Sequence, residues 1–268
     1  MFRTRLLTAI VVLPIVTVAT IVGDLPFLAL VGSLLTISEV EFCRLLARCG
    51  YRPSLGISLS VLWLFLSNAY FPIGDILQPG LALILLLSLA WQLLHTEEKP
   101  IASWGVTVAG GLYLGACGST IVSLRMMDST GLWWTLLVVV GVVSADAGAY
   151  LSGSLWGRHK MLPAVSPGKT WEGYLGGLFC ALALTPIAAE GWRALGAETV
   201  NGIHGLLLGL LIAAFSPLGD LAISLVKRKA DVDDSGKLMP GHGGALDRID
   251  TALWAAVIGY SYVQLIIH

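Results

Sequence analysis

Charged side chains are concentrated in residues 216–250 of a chain in which only 12% of all residues are charged. If the apolar run 206–226 forms a helix, Asp220, Ser224 and Lys227 follow at i, i+4 and i+7 and share one face. That face would present a carboxylate, a hydroxyl and an ammonium group together. Such a combination is suited to binding phosphate groups and the cation that accompanies them.

A glycine-rich turn, residues 240–244, follows this predicted helix. It cannot form regular helix and leaves backbone N–H groups available for binding. If the next helix begins near Leu246, Asp247 and Asp250 stand at i, i+3 on one face. Carboxylates, cations and this turn predict a site for a polyphosphate and Mg²⁺, which one or two carboxylates share with substrate phosphates. A solvated loop is the plainer reading of a charged run, but the order of residue types favours the site.

A second polar region covers residues 144–173. It begins with Asp146 inside an apolar segment, where a charge is costly unless it is paired, metal-bound or facing water. A structural hydrogen bond to a neighbouring helix is the alternative. Further along, Ser166 and Lys169 precede an expected helix start, where free N–H groups favour phosphate.

Membrane helices must position these groups, because the chain is too apolar for an ordinary soluble domain. Its 268 residues are 56% hydrophobic, and the mean hydropathy is +0.82. We expect an all-α, polytopic integral membrane protein with about nine transmembrane helices. The apolar segments lie near residues 6–22, 26–42, 55–73, 76–94, 104–124, 131–151, 172–189, 203–226 and 249–267. Within a single membrane domain, residues 1–130 would form N-terminal helices and residues 131–268 the catalytic region.

The distribution of basic residues predicts the orientation of these helices. With nine spans and a cytoplasmic N-terminus, every Lys and Arg except Arg125 and Arg193 falls in a cytoplasmic segment. Both polar regions then face the cytoplasm, as expected for a bacterial inner-membrane protein. Pro14 and the lack of a clear cleavage site favour a first membrane helix over a signal peptide. The chain has no basic tract with interleaved aromatic residues, so we expect no nucleic-acid partner.

The motifs of both polar regions resemble, in the same order, the signature of the CTP:phosphatidate cytidylyltransferases, also called CDP-diacylglycerol synthases. The matching elements are Asp146–Tyr150, Gly157–Lys160, Ser166–Gly173, Ser224-x-x-Lys227-Arg228, Asp234–Gly236 and Pro240–Asp250. The resemblance covers roughly residues 144–177 and 216–252. Two positions depart from it, because Asp233 stands where the family usually has Lys and Ala245 where a larger aliphatic is usual. Gly168, often Lys in relatives, is a milder departure.

The resemblance implies transfer of a cytidylyl group from CTP to phosphatidic acid, giving CDP-diacylglycerol and pyrophosphate. It also implies Mg²⁺, alone or with a second, monovalent cation, and a homodimer. The implied metal ligands are Asp220 and Asp247, with Asp250 as an additional ligand. The implied catalytic and phosphate-contacting residues are Asp220, Asp247, Lys227, Arg228, Arg248, Ser224 and His242. The implied nucleotide-binding residues are Ser166, Lys169, Asp146, Asp234, Gly243 and Gly244.

Three other functions remain open from the sequence. A CTP-dependent lipid kinase, such as a polyprenol kinase, would attack the γ-phosphate and release CDP. A divergent homologue of low activity would follow from Asp233, whose negative charge beside a triphosphate weakens nucleotide binding. A transporter would use Asp146 and Asp220 as ion sites, but the one-sided clustering of polar residues in the C-terminal half favours an enzyme.

Overall fold

Helices make up most of the computed structural model, which describes residues 14–72, 74–94, 98–127, 129–236 and 243–267. The first helical stretch, α1, covers residues 14–22. The following helices are α2 (Asp24–Arg48), α3 (Leu55–Tyr70), α4 (Leu77–Leu93), α5 (Pro100–Arg125), α6 (Gly131–Trp156), α7 (Trp171–Ala194), α8 (Gly202–Phe215), α9 (Pro217–Lys229) and α10 (Leu246–Tyr262). A π-helical turn, Val263–Ile267, ends the described chain.

Six helical spans in the described residues are long and apolar enough to cross a membrane. They are Asp24–Arg48, Pro100–Arg125, Gly131–Trp156, Trp171–Ala194, Gly202–Lys229 and Leu246–Ile267. The expected all-α membrane architecture is therefore confirmed in outline. The count of nine spans stays a prediction, because α3 and α4 are shorter and the start of the first predicted span lies outside the described residues.

The predicted span 203–226 consists of two helices, α8 and α9, that meet at Ser216 and Pro217. Proline has no N–H group to continue the helical hydrogen-bond ladder. The N–H of Ser216 still donates to Ile212 O at 2.8 Å, and Gly219 N donates to Ser216 O at 2.9 Å. Because α9 contains Asp220, Ser224 and Lys227, the helical spacing expected for these residues is confirmed.

A short β-hairpin lies in the second polar region of this otherwise all-α chain. Strands β1 (Lys160–Leu162) and β2 (Ser166–Thr170) pair antiparallel, with Leu162 opposite Ser166. Prolines at positions 163 and 167 disfavour helix here. The helix expected after Ser166 and Lys169 begins at Trp171, where the Thr170 hydroxyl caps it by accepting the Gly173 N–H at 3.1 Å.

The chain forms two compact units, of which one comprises Met1–Ser123 and Val226–Ile249. In this unit α5 packs closely on α3, since a Cβ atom at Gly111 would lie 2.6 Å from Ser58 O. Leu35, Val61, Leu62, Leu66 and Leu114 are buried in it. It contains the polar segment around Asp247.

The other unit comprises Leu124–Leu225 and Asp250–His268. Within it α6 and α7 pack closely, because a Cβ atom at Gly177 would lie 2.6 Å from Ala145 O. Its core contains the buried side chains of Trp134, Leu137, Leu208 and Ile212. This unit carries the hairpin and Asp220.

Candidate functional site

A largely buried ion pair joins Lys227 of α9 to Asp247 of α10. Lys227 Nζ lies 2.7 Å from Asp247 Oδ1, and the two side chains are only 10% and 8% exposed. A buried charge needs further hydrogen bonds to offset lost hydration. Asp247 Oδ2 supplies them by accepting Ser235 N at 2.8 Å, Ser235 Oγ at 2.9 Å and Gly244 N at 3.0 Å.

The start of α10 explains why Asp247 takes this position. Helix α10 begins at Leu246, as the sequence predicted, so Asp247 lies in its first turn. There the backbone N–H groups have no intrahelical acceptor, and a carboxylate is favoured by the helix dipole. Asp247 therefore connects Gly244, in the turn before α10, with Ser235, which follows α9.

The glycines before α10 are required by the crowding of carboxylates around them. Gly243 has φ +82°, and a Cβ atom there would lie 2.7 Å from Asp247 Oδ2 and 3.1 Å from Asp234 Oδ1. Only glycine adopts this conformation readily and leaves room for both carboxylates. The structure thus brings together Asp234, Gly243, Gly244 and Asp247, all of which the sequence selected.

Glu41 of α2 also reaches this group, and the sequence reasoning missed its role. Its buried carboxylate accepts Leu246 N at 2.9 Å and Ala245 N at 3.1 Å, and its Oε2 lies 2.9 Å from Ser235 Oγ, so it shares the single proton of this hydroxyl with Asp247. The available signal was an acidic residue inside the apolar segment 26–42. A costly intramembrane carboxylate is a candidate for function by default.

Asp233, the position that departs from the family signature, pairs with a candidate phosphate-binding residue. Arg228 Nη1 donates to Asp233 Oδ1 at 2.7 Å, and the Asp233 side chain is 90% exposed. An exposed pair of this kind contributes little to stability. Its consequence is electrostatic, because Asp233 compensates part of the positive charge that Arg228 would offer to a nucleotide.

A second polar group lies in the other unit, between the hairpin and α9. Lys169 Nζ in β2 lies 2.9 Å from Asp220 Oδ2 and donates to Pro217 O at 3.0 Å. Ser224 Oγ donates to Asp220 Oδ1 at 3.2 Å. The Lys169 and Asp220 side chains are 23% and 35% exposed, so this group is more accessible than the Asp247 pair.

Glu172, in the first turn of α7, forms hydrogen bonds with the residues just before β1. Its carboxylate accepts Arg158 N at 3.1 Å and His159 N at 3.2 Å, and it lies beside the His159 ring. These contacts hold the chain that enters β1 against the helix that follows β2. Lys169 and Ser166 are thereby presented by an anchored hairpin.

The other residues selected from the sequence lie outside the two polar groups described above. Asp146 is exposed on α6, Ser166 is half-buried and Arg248 is exposed on α10. Asp250 is buried, and its Oδ1 accepts Thr251 N at 2.7 Å. His242 lies outside the described residues.

Within the described ranges no three His, Cys, Asp or Glu side chains cluster closely enough to hold a metal ion, so the ligand set of Asp220, Asp247 and Asp250 stays a prediction.

Comparison with known proteins gives one consistent result over nearly the whole chain. Residues 3–266 match the cytidylyltransferase family. The chain is 32% identical to the phosphatidate cytidylyltransferase of Bacillus subtilis (strain 168) and 34% identical to that of Haemophilus influenzae, with 98% of both chains covered in each case. It is 37% identical to the phosphatidate cytidylyltransferase of Pseudomonas aeruginosa, covering 96% of this chain and 94% of the relative.

Proposed function

The chain belongs to the cytidylyltransferase family, and we propose that it transfers the cytidylyl group of CTP to phosphatidic acid. In this reaction a phosphate oxygen of the lipid attacks the α-phosphorus of CTP. The bond from the α-phosphorus to the oxygen that bridges to the β-phosphate breaks, and that oxygen leaves with pyrophosphate. The products are CDP-diacylglycerol and pyrophosphate.

The observation that carries this proposal is the Lys227–Asp247 pair beside the glycine turn. The lipid phosphate is already ionised, so the reaction needs no strong general base. Its barrier lies in bringing anions together and in stabilising charge on the α-phosphate and the leaving group. Lysine ammonium groups held by carboxylates, next to backbone N–H groups of a glycine turn, match that requirement.

Roles for the other residues follow from their chemistry. Arg228, Arg248 and Lys169 would contact phosphate groups, with Ser166 in the same hairpin as Lys169. Ser224 would orient Asp220 through the hydrogen bond between them. His242, Asp234, Asp146 and the turn at Gly243 and Gly244 would complete the nucleotide site.

We further propose that Mg²⁺ is the cofactor, alone or with a monovalent cation, and that Asp220 and Asp247 hold it with Asp250 as an additional ligand. The chemistry of the donors suits Mg²⁺, because these are hard oxygen ligands and Mg²⁺ needs only one or two carboxylates besides water and phosphate. Asp220 Oδ2 and Asp247 Oδ1 each face an ammonium group, at 2.9 and 2.7 Å, so Mg²⁺ would share these carboxylates with Lys169 and Lys227 or take the place of the ammonium groups. When bound, Mg²⁺ would neutralise charge on the triphosphate.

The protein is an integral membrane protein, and its apolar helices allow phosphatidic acid to enter from the bilayer with its acyl chains remaining there. We propose a bacterial inner membrane, with the N-terminus and the site on the cytoplasmic side where CTP is found. The excess of basic residues in the predicted cytoplasmic segments supports this orientation. A homodimer is proposed from the family resemblance.

Product analysis tests the proposed function. Purified protein in detergent is given phosphatidic acid, Mg²⁺ and CTP labelled with radioactive phosphorus at the α position. We expect label in a CDP-lipid, and loss of that label in Asp220→Asn and Asp247→Asn but not in Glu198→Gln, an exposed change outside the candidate groups. Labelled CDP without labelled lipid would identify a lipid kinase instead. No turnover alongside an active relative would contradict the assignment and leave the low-activity homologue or the transporter.

A further inference from the structure

We infer that Glu41 is a positioning residue for the proposed cytidylyl transfer, because its carboxylate fixes the segment that carries Asp247. This segment, here named the Asp247 segment, consists of the described residues 234–236 and 243–247. The inference rests on the proposed function, since the reaction gives Asp247 its importance. Glu41 itself is only 3% exposed, so it acts through these neighbours rather than on the substrate.

Both oxygens of the Glu41 carboxylate are used by the Asp247 segment. Oε1 accepts Ala245 N at 3.1 Å, and Oε2 accepts Leu246 N at 2.9 Å. These N–H groups stand at the start of α10 and have no acceptor within the helix. A negative charge is favoured at that end of a helix, so Glu41 determines where α10 begins.

Two glycines make room for this carboxylate. A Cβ atom at Gly236 would collide with Glu41 Oε1, and one at Gly244 would collide with Glu41 Oε2. At Gly236 and Gly244 the backbone therefore approaches the Glu41 carboxylate more closely than a residue with a Cβ atom would allow. The two glycines therefore form a binding position that is shaped to the Glu41 carboxylate.

Ser235 connects Glu41 to Asp247 through hydrogen bonds. Its hydroxyl oxygen lies 2.9 Å from Glu41 Oε2 and also 2.9 Å from Asp247 Oδ2, while its N–H donates to Asp247 Oδ2 at 2.8 Å. Ser235 is buried, so water does not compete freely for these contacts. Glu41 thus holds Ser235, and Ser235 holds the carboxylate that pairs with Lys227.

Glu39 provides a matched control in the same helix. It is also a fully buried carboxylate, two residues before Glu41. Its Oε1 receives the hydroxyl of Ser58 and the thiol of Cys43, and neither belongs to the Asp247 segment. Glu39→Gln therefore changes a buried carboxyl group of α2 without removing an acceptor from the start of α10.

Hydrogen exchange tests the contact independently of catalysis. Glu41→Gln keeps the side-chain shape but replaces one acceptor oxygen with an NH₂ group that cannot accept. In the intact protein in detergent, we expect at least one of the amides of Ala245 and Leu246 to exchange about tenfold faster in Glu41→Gln, which is the loss of about one hydrogen bond of protection. In Glu39→Gln these amides should exchange as in the wild type. Unchanged exchange in Glu41→Gln would overturn the inference.

Kinetics then separate positioning from general stability. We expect Glu41→Gln to lower kcat/KM for CTP about 10- to 100-fold, since small displacements of catalytic groups have effects of that size. The concentration of Mg²⁺ for half-maximal rate should rise, the KM for phosphatidic acid should stay unchanged, and Glu39→Gln should lose at most about threefold. Equal losses in both variants, or faster exchange with wild-type kinetics, would show that Glu41 is only structural.

Failure of the proposed function would look different. In that case the wild-type protein would form no CDP-lipid at all, while the exchange difference between Glu41→Gln and Glu39→Gln would still report on the contact. A wild type that is active with no difference between the two variants would contradict the role of Glu41 alone.

Discussion

Lys227 Nζ lies 2.7 Å from Asp247 Oδ1, although the glycine turn before α10 separates the two residues along the chain. Each residue gives the other a charged partner in a nearly buried setting. In the proposed site the pair would have two functions, because it would present an ammonium group to phosphate and fix a carboxylate that could bind Mg²⁺. The predictions below separate the contributions of its neighbours.

Removing the ammonium group of Lys227 should abolish activity and weaken the fold moderately. In Lys227→Met, Asp247 keeps three hydrogen-bond donors but loses its counter-charge, so we expect a loss of about 1–3 kcal/mol in unfolding free energy. Formation of CDP-lipid should fall at least about 100-fold. Lys229→Met, an exposed change at the end of α9, should leave both thermal unfolding in detergent and turnover unchanged. Similar losses in the two variants would point to net charge instead.

Asp233 should reduce affinity for CTP by pairing with Arg228. In Asp233→Asn the guanidinium group loses this negative counter-charge, and we expect the KM for CTP to fall about two- to fivefold, the effect of a single exposed charge. Asp231→Asn is the matched control, since Asp231 is also exposed and its positive φ of 54° is well tolerated by Asn. Steady-state kinetics at fixed phosphatidic acid measures the difference, and an equal fall in both variants would exclude a specific role for Asp233.

Adding a methyl group at Gly243 should disrupt the arrangement of carboxylates. Gly243→Ala combines a strained φ of +82° with a Cβ atom 2.7 Å from Asp247 Oδ2, which costs about 1–3 kcal/mol. We expect turnover to fall at least about tenfold. Gly168→Ala should be neutral, because a Cβ atom there meets nothing within 4 Å. Wild-type turnover in Gly243→Ala would show that this turn adapts freely.

The hairpin should contribute through one of its two lysines. Lys169 contacts Asp220 and Pro217 O, whereas Lys160 is exposed on β1. We therefore expect Lys169→Met to lower kcat/KM for CTP about 10- to 100-fold, as expected for the loss of a charged phosphate contact. Lys160→Met should change it by less than about twofold. Comparable kinetics of the two variants would remove Lys169 from the proposed site.

Much of the helical architecture could be predicted because its causes are local. Apolar segments long enough to cross a bilayer predicted membrane helices, and the spacing of Asp220, Ser224 and Lys227 predicted α9. The start of α10 near Leu246 followed from the glycine turn before it. The hairpin was missed, since two strands of three and five residues leave too short a pattern to distinguish from a loop.

The candidate site was predicted in its residue types but not in its partners. Lysines, aspartates and glycines of the two polar regions were selected by their order along the chain. The sequence did not indicate that Lys169 pairs with Asp220, that Arg228 pairs with Asp233, or that Glu41 receives the start of α10. Lys169 and Glu41 are distant along the chain from their partners, by up to 205 residues for Glu41, and no local spacing encodes such contacts.

The sequence by itself thus determined the membrane class, the family and the set of side chains able to bind a nucleotide, because composition, helical period and motif order are properties of neighbouring residues. The tertiary structure alone decided which carboxylate each cation contacts, and that the buried carboxylate of Glu41 accepts hydrogen bonds from the Asp247 segment. The physical reason is that a buried charge must find its compensating donors wherever packing brings them, and packing joins residues that are distant in the chain.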